Sequence, residues 1–295
     1  MNREFEVGPL SAAGAKLRQY RLWVLVSPAL LQVILFFILP VLFMLRISFS
    51  PVAPVTRYAP GFTLTNYLRF YTDLFYLNTF FFTFKLSVVV TVVTIVLAYP
   101  VAYLIAKSKP TAKRAYLILL MVCMWTQYIV KIYGLVALFA RDGLINVLLL
   151  KLGIIREPIG MLYNFFAVTV GLVQVTFPYM VLSLLGVLEK IDKSLKEAAR
   201  NLGASRIQTF LNVTLPLSVP GIAAATIFAA LWTLGSYATP SLLGSEAQTT
   251  ISIRVEHELL TSFNWPFGAV MAFNMLFSIV AVYLFLNQFI RGKRP

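Results

Sequence analysis

The chain has 295 residues, of which 59% are hydrophobic and 12% are charged, and its mean hydropathy is +0.82. Too few polar side chains are present to cover a water-soluble globule of this size, so soluble enzymes and soluble binding domains are excluded. The net charge of +14 predicts no nucleic-acid partner, because a surplus of Lys and Arg on one side of a membrane, facing anionic lipid, accounts for most of it.

Six apolar runs in the sequence are each long enough to cross about 30 Å of hydrocarbon as an α-helix. They occupy residues 22–45, 80–106, 115–139, 162–188, 217–237 and 266–290. No run alternates apolar and polar residues with a period of two, so the runs predict helices rather than barrel strands. The predicted fold is an all-α polytopic membrane protein, with a six-helix domain at 22–290 between a tail at 1–21 and a tail at 291–295.

Lys and Arg are distributed unevenly between the two sides of the six spans. Sixteen lie in the N-terminal tail, the loop after span two, the loop after span four and the C-terminal tail, whereas seven lie in the alternate segments. Because positively charged loops stay on the cytoplasmic side, both termini and the loop after span four are predicted to be cytoplasmic. The first run lacks a clear cleavage site, so it is predicted to remain as span one.

Two features of spans and loops make structural predictions. Cys123, the only cysteine, lies in span three and is predicted to be a small buried side chain that forms no intramolecular disulfide. Residues 144–152, in an outer connection, predict a short interfacial helix that stops at Gly153.

The loop between spans four and five, residues 189–216, carries a short amphipathic segment. Ser194 and Glu197 have the spacing of a capping box, which predicts a helix that begins at Leu195. Gly203 suits the left-handed residue that ends a helix. The sequence therefore predicts a helix of about two turns between two membrane spans.

A helix this short is marginal in water unless it lies against a surface. Ala198, Ala199 and Leu202 give it a small apolar face. Ser205 and Gln208 repeat the capping pattern and predict a second helix that leads into span five. The segment is therefore interpreted as a docking element for a soluble partner, with a connecting loop packed on the chain's own cytoplasmic face as the alternative.

The order of residues in this loop resembles the EAA loop of ATP-binding cassette importers. The family pattern is Glu-Ala-Ala, three residues, Gly, nine residues, Ile, one residue and Leu-Pro, and only Val213 departs from it. The resemblance implies a coupling helix that sits in a groove of the ATP-hydrolysing subunit. The residues that it assigns to this role are Glu197, Ala198, Ala199, Arg200, Leu202 and Gly203.

The likeness extends over nearly the whole chain. The segments at 27–31, 62–67, 125–134 and 265–269 are similar to the spermidine/putrescine permease branch of type I, MetI-like importers. This resemblance implies a bacterial inner-membrane permease that pairs with a sister permease, an ATPase dimer and an extracytoplasmic binding protein, with ATP and Mg on the ATPase alone. It favours a polyamine cargo, and an opine, a phosphonate or another small anionic or zwitterionic solute is the alternative.

The source of energy for transport follows from residues that the sequence lacks. It has no Gly-x-x-x-x-Gly-Lys-Ser/Thr segment, so no ATP site and no cofactor are predicted in this chain. Asp and Glu are absent from all six predicted spans, where ion-gradient carriers usually keep such groups, so an ion-gradient transporter is the remote alternative. His257 is the only histidine, and neither a metal site nor enzyme chemistry is predicted.

The candidate solute pathway lies in span three. Gln127, Lys131 and Gly134 are spaced to share one face of a continuous helix, bordered by Trp125 and Tyr128. A Lys at the centre of a lipid-exposed helix costs about 2.5–3.5 kcal/mol, so this face is predicted to line a wet cavity or the bundle interior. The alternative is that Lys131 extends outward to the membrane surface.

The cargo determines which of these side chains bind it. A polyamine is repelled by Lys131, and the aromatic rings of Trp125, Tyr128, Trp232 and Tyr237 are then the candidate ligands through cation–π attraction. An anionic cargo makes Lys131 the counter-charge instead. Aromatic residues also line membrane interfaces for structural reasons, and Gln174 and Asn274 are further polar candidates that equally suit interhelical hydrogen bonds.

Overall fold

The computed structural model describes residues 24–53 and 57–291, and within these ranges the chain is helical with no β-strand. The predicted all-α class is therefore confirmed. The tails at 1–21 and 292–295 lie outside the described residues. The helices are α1 Val24–Ser48, α2 Thr65–Thr72, α3 Leu74–Lys107, α4 Pro110–Trp125, α5 Tyr128–Phe139, α6 Leu144–Lys151, α7 Phe165–Leu188, α8 Lys193–Asn201, α9 Arg206–Gly235, α10 Ala238–Leu243, α11 Ile251–Glu256 and α12 Trp265–Arg291.

Six stretches of the described chain are long and apolar enough to cross a membrane, which confirms the predicted number of spans. Five of them coincide with predicted runs, and their ends differ by up to eleven residues, because α3 begins six residues before its predicted run and the polar turn Arg206–Thr209 extends α9. These stretches are α1, α3, Tyr128–Lys151, α7, α9 and Trp265–Leu286.

Span three departs from the prediction of one helix over 115–139. Thr126 and Gln127 are extended, with ψ of 128° and 135°, and they separate α4 from α5. The side-chain Oε1 of Gln127 accepts a hydrogen bond from the backbone N–H of Val130 at 3.0 Å and caps α5. The predicted face that combined Gln127, Lys131 and Gly134 is therefore wrong, because Gln127 is a cap rather than part of the helix.

The centre of the bundle is formed by α3, α7 and α9, which pack against one another. Their contacts use small side chains: Ala98, Ala102, Ala225 and Ala229 are fully buried. Small residues allow helix backbones to approach closely in a membrane, where apolar surface alone does not drive helices together. This packing fixes the frame on which the shorter helices rest.

A column of hydroxyl side chains runs along the buried face of α3. Its members, spaced by three or four residues, are Thr79, Thr83, Ser87, Thr91 and Thr94. Thr83 Oγ1 accepts a hydrogen bond from the backbone N–H of Ile251 at 3.1 Å, and Ser87 Oγ donates to the carbonyl of Ala230 at 3.1 Å. Thr94 and Thr176 share a further bond at 3.1 Å. The column therefore links α3 to α7, α9 and α11 through hydrogen bonds protected from water.

Two π-helical turns interrupt the spans, and each ends two residues before a proline. Ile34–Ile38 precedes Pro40 in α1, and Phe210–Thr214 precedes Pro216 in α9. A proline has no N–H for the carbonyl four residues earlier, and a wider turn accommodates that missing bond. The span therefore remains continuous at both prolines.

Two further sequence predictions have opposite outcomes. The predicted short helix is confirmed as α6, Leu144–Lys151, and Gly153 follows it with a φ of +67°, whereas its location at the membrane surface stays a prediction. Cys123 is exposed on the isolated chain, so its predicted burial is wrong. The cause is the position of α4 at the edge of the bundle, where few neighbours cover it.

We predict that Gly171→Ala destabilises the bundle by about 1–3 kcal/mol, the usual cost of overpacking a core. A Cβ at Gly171 in α7 lies 2.6 Å from both Leu243 Cδ1 and Thr239 Cγ2 of α10. Gly186→Ala in the same helix is the matched control, because a Cβ there meets nothing within 4 Å. Thermal unfolding in detergent, followed by size-exclusion recovery, measures both variants; equal midpoints contradict the prediction.

Candidate functional site

The segment between spans four and five begins with a helix cap that differs from the predicted one. Asp192 Oδ1 accepts a hydrogen bond from the backbone N–H of Ser194 at 2.9 Å, and α8 begins at Lys193. The predicted capping box of Ser194 and Glu197 is therefore wrong, because the helix starts two residues before Leu195. The same bond lowers the pKa of the Asp192 carboxyl below its ordinary value, since it stabilises the charged form.

The predicted end of the helix at Gly203 is confirmed. Gly203 has a φ of +87°, and its N–H donates to the carbonyl of Arg200 at 2.9 Å. The N–H of Ala204 donates to the carbonyl of Ala199 at 3.1 Å. These two bonds form a Schellman motif, in which glycine adopts the left-handed conformation without the steric penalty of a side chain.

The second predicted capping box is also confirmed. Ser205 Oγ accepts from the N–H of Gln208 at 3.2 Å, and the Gln208 side chain accepts from the N–H of Ser205 at 2.8 Å. This box starts α9, so three residues, 202–204, separate the end of α8 at Asn201 from the cap of α9 at Ser205. The turn between α8 and α9 is therefore defined on both sides by backbone hydrogen bonds.

Apolar side chains protrude from this turn. The exposed fraction is 89% for Leu202 and 71% for Ile207, and Leu195 is also exposed. Ala198 is exposed and Ala199 is half-buried, whereas Glu197 and Arg200 are exposed without an ion pair among the described residues. The alternative of a loop packed on the chain's own surface is disfavoured, because no described residue covers these apolar groups.

Aromatic rings from three spans form a second feature, which we call the aromatic stack: Tyr128, Tyr179, Phe228 and Trp232. The ring centroids of Tyr179 and Phe228 are 4.8 Å apart, and those of Phe228 and Trp232 are 5.8 Å apart. Tyr128 meets Trp232 edge-on at 6.4 Å. None of the cation–ring contacts in the described residues involves these four rings.

The hydroxyl of Tyr128 anchors the stack to the C-terminal end of span five. It shares a 2.6 Å hydrogen bond with Thr239 Oγ1 of α10 and a 3.4 Å bond with Ser236 Oγ. Sequence reasoning proposed Tyr128 and Trp232 but missed Tyr179 and Phe228. The spans contain many aromatic residues, so sequence spacing carried no signal that these two meet the others.

The remaining pathway candidates lie apart from the aromatic stack. Trp125 is 87% exposed at the end of α4, and Tyr237 makes no ring contact among the described residues. Asn274 accepts a hydrogen bond from Tyr71 and donates to the carbonyl of Val270 at 2.9 Å, which matches the interhelical alternative. Gln127 caps α5, as described above.

Lys131 lines a lateral cavity of about 710 Å³ between α3, α4, α5 and α7. Gly134 lies on the same wall, and the other polar groups there include Gln174, Thr126 and Cys123. Tyr128 and Trp232 do not line this cavity. Lys131, which is half-buried, therefore lines a cavity that Tyr128 and Trp232 do not share. Among the described residues, no three His, Cys, Asp or Glu side chains are grouped to hold a metal ion.

A family model described as binding-protein-dependent transport system inner membrane component matches residues 18–295. The chain belongs to this family. It is a multi-pass inner-membrane permease subunit of an ATP-binding cassette importer.

The relatives include the spermidine/putrescine transport system permease protein PotB of Escherichia coli (strain K12), which is 35% identical over 242 residues, or 82% of this chain and 88% of the relative. PotB of Haemophilus influenzae is 32% identical over 263 residues, or 88% of this chain and 92% of the relative. A bacterial ABC transporter involved in alginate import has the same fold, with a TM-score of 0.81 at 15% identity over 97% of this chain and 100% of that chain.

We predict that Asp192→Ala speeds amide hydrogen exchange across residues 193–201, whereas Ser194→Ala leaves it nearly unchanged. The Asp192 carboxylate holds the first turn of α8, and Ser194 lies inside the helix. Because the pKa of Asp192 is lowered, the cap persists at neutral pH and is lost only on acidification through that lowered pKa. Hydrogen-exchange mass spectrometry of the purified permease measures the exchange rates in both variants. A larger increase for Ser194→Ala than for Asp192→Ala contradicts the prediction and favours Ser194 as the cap.

Proposed function

We propose that this permease translocates a polyamine, spermidine or putrescine, delivered by an extracytoplasmic binding protein. The observation that carries the proposal is the identity of 32–35% to two PotB proteins, across more than four fifths of each chain. Alignments of this length extend far beyond the 28 residues of the loop at 189–216. The proposal therefore rests on the membrane domain as a whole.

The aromatic stack supports a cationic cargo. Rings attract ammonium groups through their negative faces, at about 0.5–2 kcal/mol for each contact, depending on exposure to water. Tyr128, Tyr179, Phe228 and Trp232 are each partly exposed, so a solute can reach them. Lys131 lines a different cavity and makes no cation–ring contact with the stack among the described residues.

We further propose the partners and orientation of this subunit. An ATPase dimer, which holds ATP and Mg, binds α8 and the turn after it through the protruding Leu202 and Ile207 and through Glu197 and Arg200 of α8. A sister permease completes the pathway as a heterodimer. Both termini and α8 face the cytoplasm, as the distribution of Lys and Arg supports. ATP binding closes the ATPase dimer and moves α8, and the Schellman turn at Gly203 transmits that movement to α9.

A second candidate cargo is a small anionic or zwitterionic solute. Lys131 and Gln174 in the lateral cavity supply a positive charge and an amide for a carboxylate or phosphonate. This candidate keeps the transporter class and changes only the solute and its site.

We predict that spermidine or putrescine, with the binding protein, stimulates ATP hydrolysis by the complete importer in lipid nanodiscs, and that Gly203→Asp abolishes the stimulation. Asp at a φ of +87° strains the Schellman turn and adds a charge beside the coupling helix. Gly153→Asp is the matched control, because Gly153 also has a positive φ with nothing near its Cβ, but follows α6 in another connection.

The same assay is run with opines and phosphonates. Stimulation by an anionic solute alone overturns the polyamine proposal and makes Lys131 the candidate ligand. Loss of stimulation in both glycine variants assigns the effect to folding rather than to coupling.

We predict that Trp232→Ala raises the KM for polyamine uptake by about 2- to 30-fold, the range for loss of one cation–π contact. Trp232→Phe, which keeps an aromatic face, retains most of the affinity. Trp125→Ala removes an indole outside the aromatic stack and is the control. Uptake of radiolabelled spermidine into proteoliposomes measures all three; an unchanged KM in Trp232→Ala removes the stack from the pathway.

A further inference from the structure

A polar cavity of about 760 Å³ lies behind the coupling helix. Its walls come from the end of α3, the start of α4, the end of α7, helix α8 and the first turns of α9. Tyr103 and Leu188 belong to the ends of two membrane spans, whereas Lys193 and Arg200 belong to the helix outside them. The cavity is therefore at the level where lipid headgroups meet water.

The walls of this cavity carry a surplus of positive charge. Seven basic and three acidic side chains line it, which leaves a net charge of +4. The basic residues are Lys107, Lys113, Lys190, Lys193, Lys196, Arg200 and Arg206. Charges of one sign that face a common cavity repel one another, so an anion bound there relieves that repulsion.

Internal contacts neutralise only part of the charge. Lys113 Nζ pairs with Glu189 at 2.6 Å, and Asp192 is engaged as the cap of α8. Lys107 Nζ lies 3.9 Å from the centroid of the Tyr103 ring, which positions it without neutralising it. Among the described residues, Lys190 and the four basic residues that follow it on the cavity wall form no ion pair.

We propose that this cavity binds a phosphate-bearing anion, and that the phosphate of an anionic phospholipid in the adjacent leaflet is its natural source. Phosphate oxygens accept hydrogen bonds from several Lys and Arg donors at once. The cavity is lined by ends of membrane spans and by α8, so an anion bound in it connects α8 to the lipid. The assignment to the cytoplasmic leaflet rests on the proposed orientation. Binding of the anion does not depend on which solute the importer carries.

The test uses the complete importer in nanodiscs of phosphatidylcholine with or without phosphatidylglycerol. Native mass spectrometry counts the phosphatidylglycerol molecules retained by each complex, and titration gives their affinity. Lys107→Gln with Lys190→Gln removes two cavity charges from outside α8. We expect affinity to fall about fivefold for each charge removed, in line with the attraction of one basic residue to anionic lipid.

The matched control is Lys109→Gln with Arg114→Gln. These exposed residues lie near the same end of α4 but do not line the cavity, so we expect retention to stay unchanged. Binding of radiolabelled inorganic phosphate in phosphatidylcholine alone, lost in the cavity variant, assigns the site to a soluble anion. Equal retention in the cavity and control variants overturns the proposal.

The same spectra, read beside the ATPase assay of the complete importer, separate this inference from the proposed function. Loss of ATPase subunits from the cavity variant, with lipid retention unchanged, reassigns these lysines to subunit docking and overturns lipid binding. Retained lipid in a complex that no polyamine stimulates upholds this site and rejects the cargo.

Discussion

Every backbone polar group within hydrocarbon must find its partner inside the protein, and the rest of this structure follows from that constraint. Helices satisfy it within each span, and the two π turns carry the helix past Pro40 and Pro216 without a break. The hydroxyl column on α3 extends the same principle between helices, since Thr83 receives the N–H of Ile251 at the start of α11. Short outer helices thereby gain a fixed position that their own length does not provide.

The segment between spans four and five obeys the opposite requirement, because no residue of α8 is buried and the segment must keep its shape without a packed core. Asp192, the Schellman turn at Gly203 and the capping box at Ser205 supply backbone hydrogen bonds where packing is absent. Leu202 and Ile207 then remain free to meet another protein. Local hydrogen bonds define the turn, and the apolar tips give it a surface to bind.

Much of the fold could be predicted from the sequence, because apolar length determines whether a helix can span a membrane. The turn at Gly203 was equally predictable, since a left-handed residue after a helix favours glycine. The N-cap of α8 was not predictable, because Asp192 and Ser194 both suit that position. The capping-box spacing of Ser194 and Glu197 favoured Ser194, whereas Asp192 caps the helix. The break at Thr126 and Gln127 contains neither Pro nor Gly, so no local signal marked it. Tyr179 and Phe228 join the aromatic stack through tertiary contacts, which single-sequence spacing does not encode.

The break in span three has a mechanical consequence. Two extended residues join α4 and α5 in place of continuous helical hydrogen bonds, so tilting one half does not rigidly rotate the other. Each half is tied to a different element: Lys113 at the start of α4 pairs with Glu189 at the end of α7, and Tyr128 at the start of α5 bonds to Thr239 of α10 beside the aromatic stack. Span three is therefore jointed, so a tilt of α4 does not have to displace the contacts that α5 makes with α10.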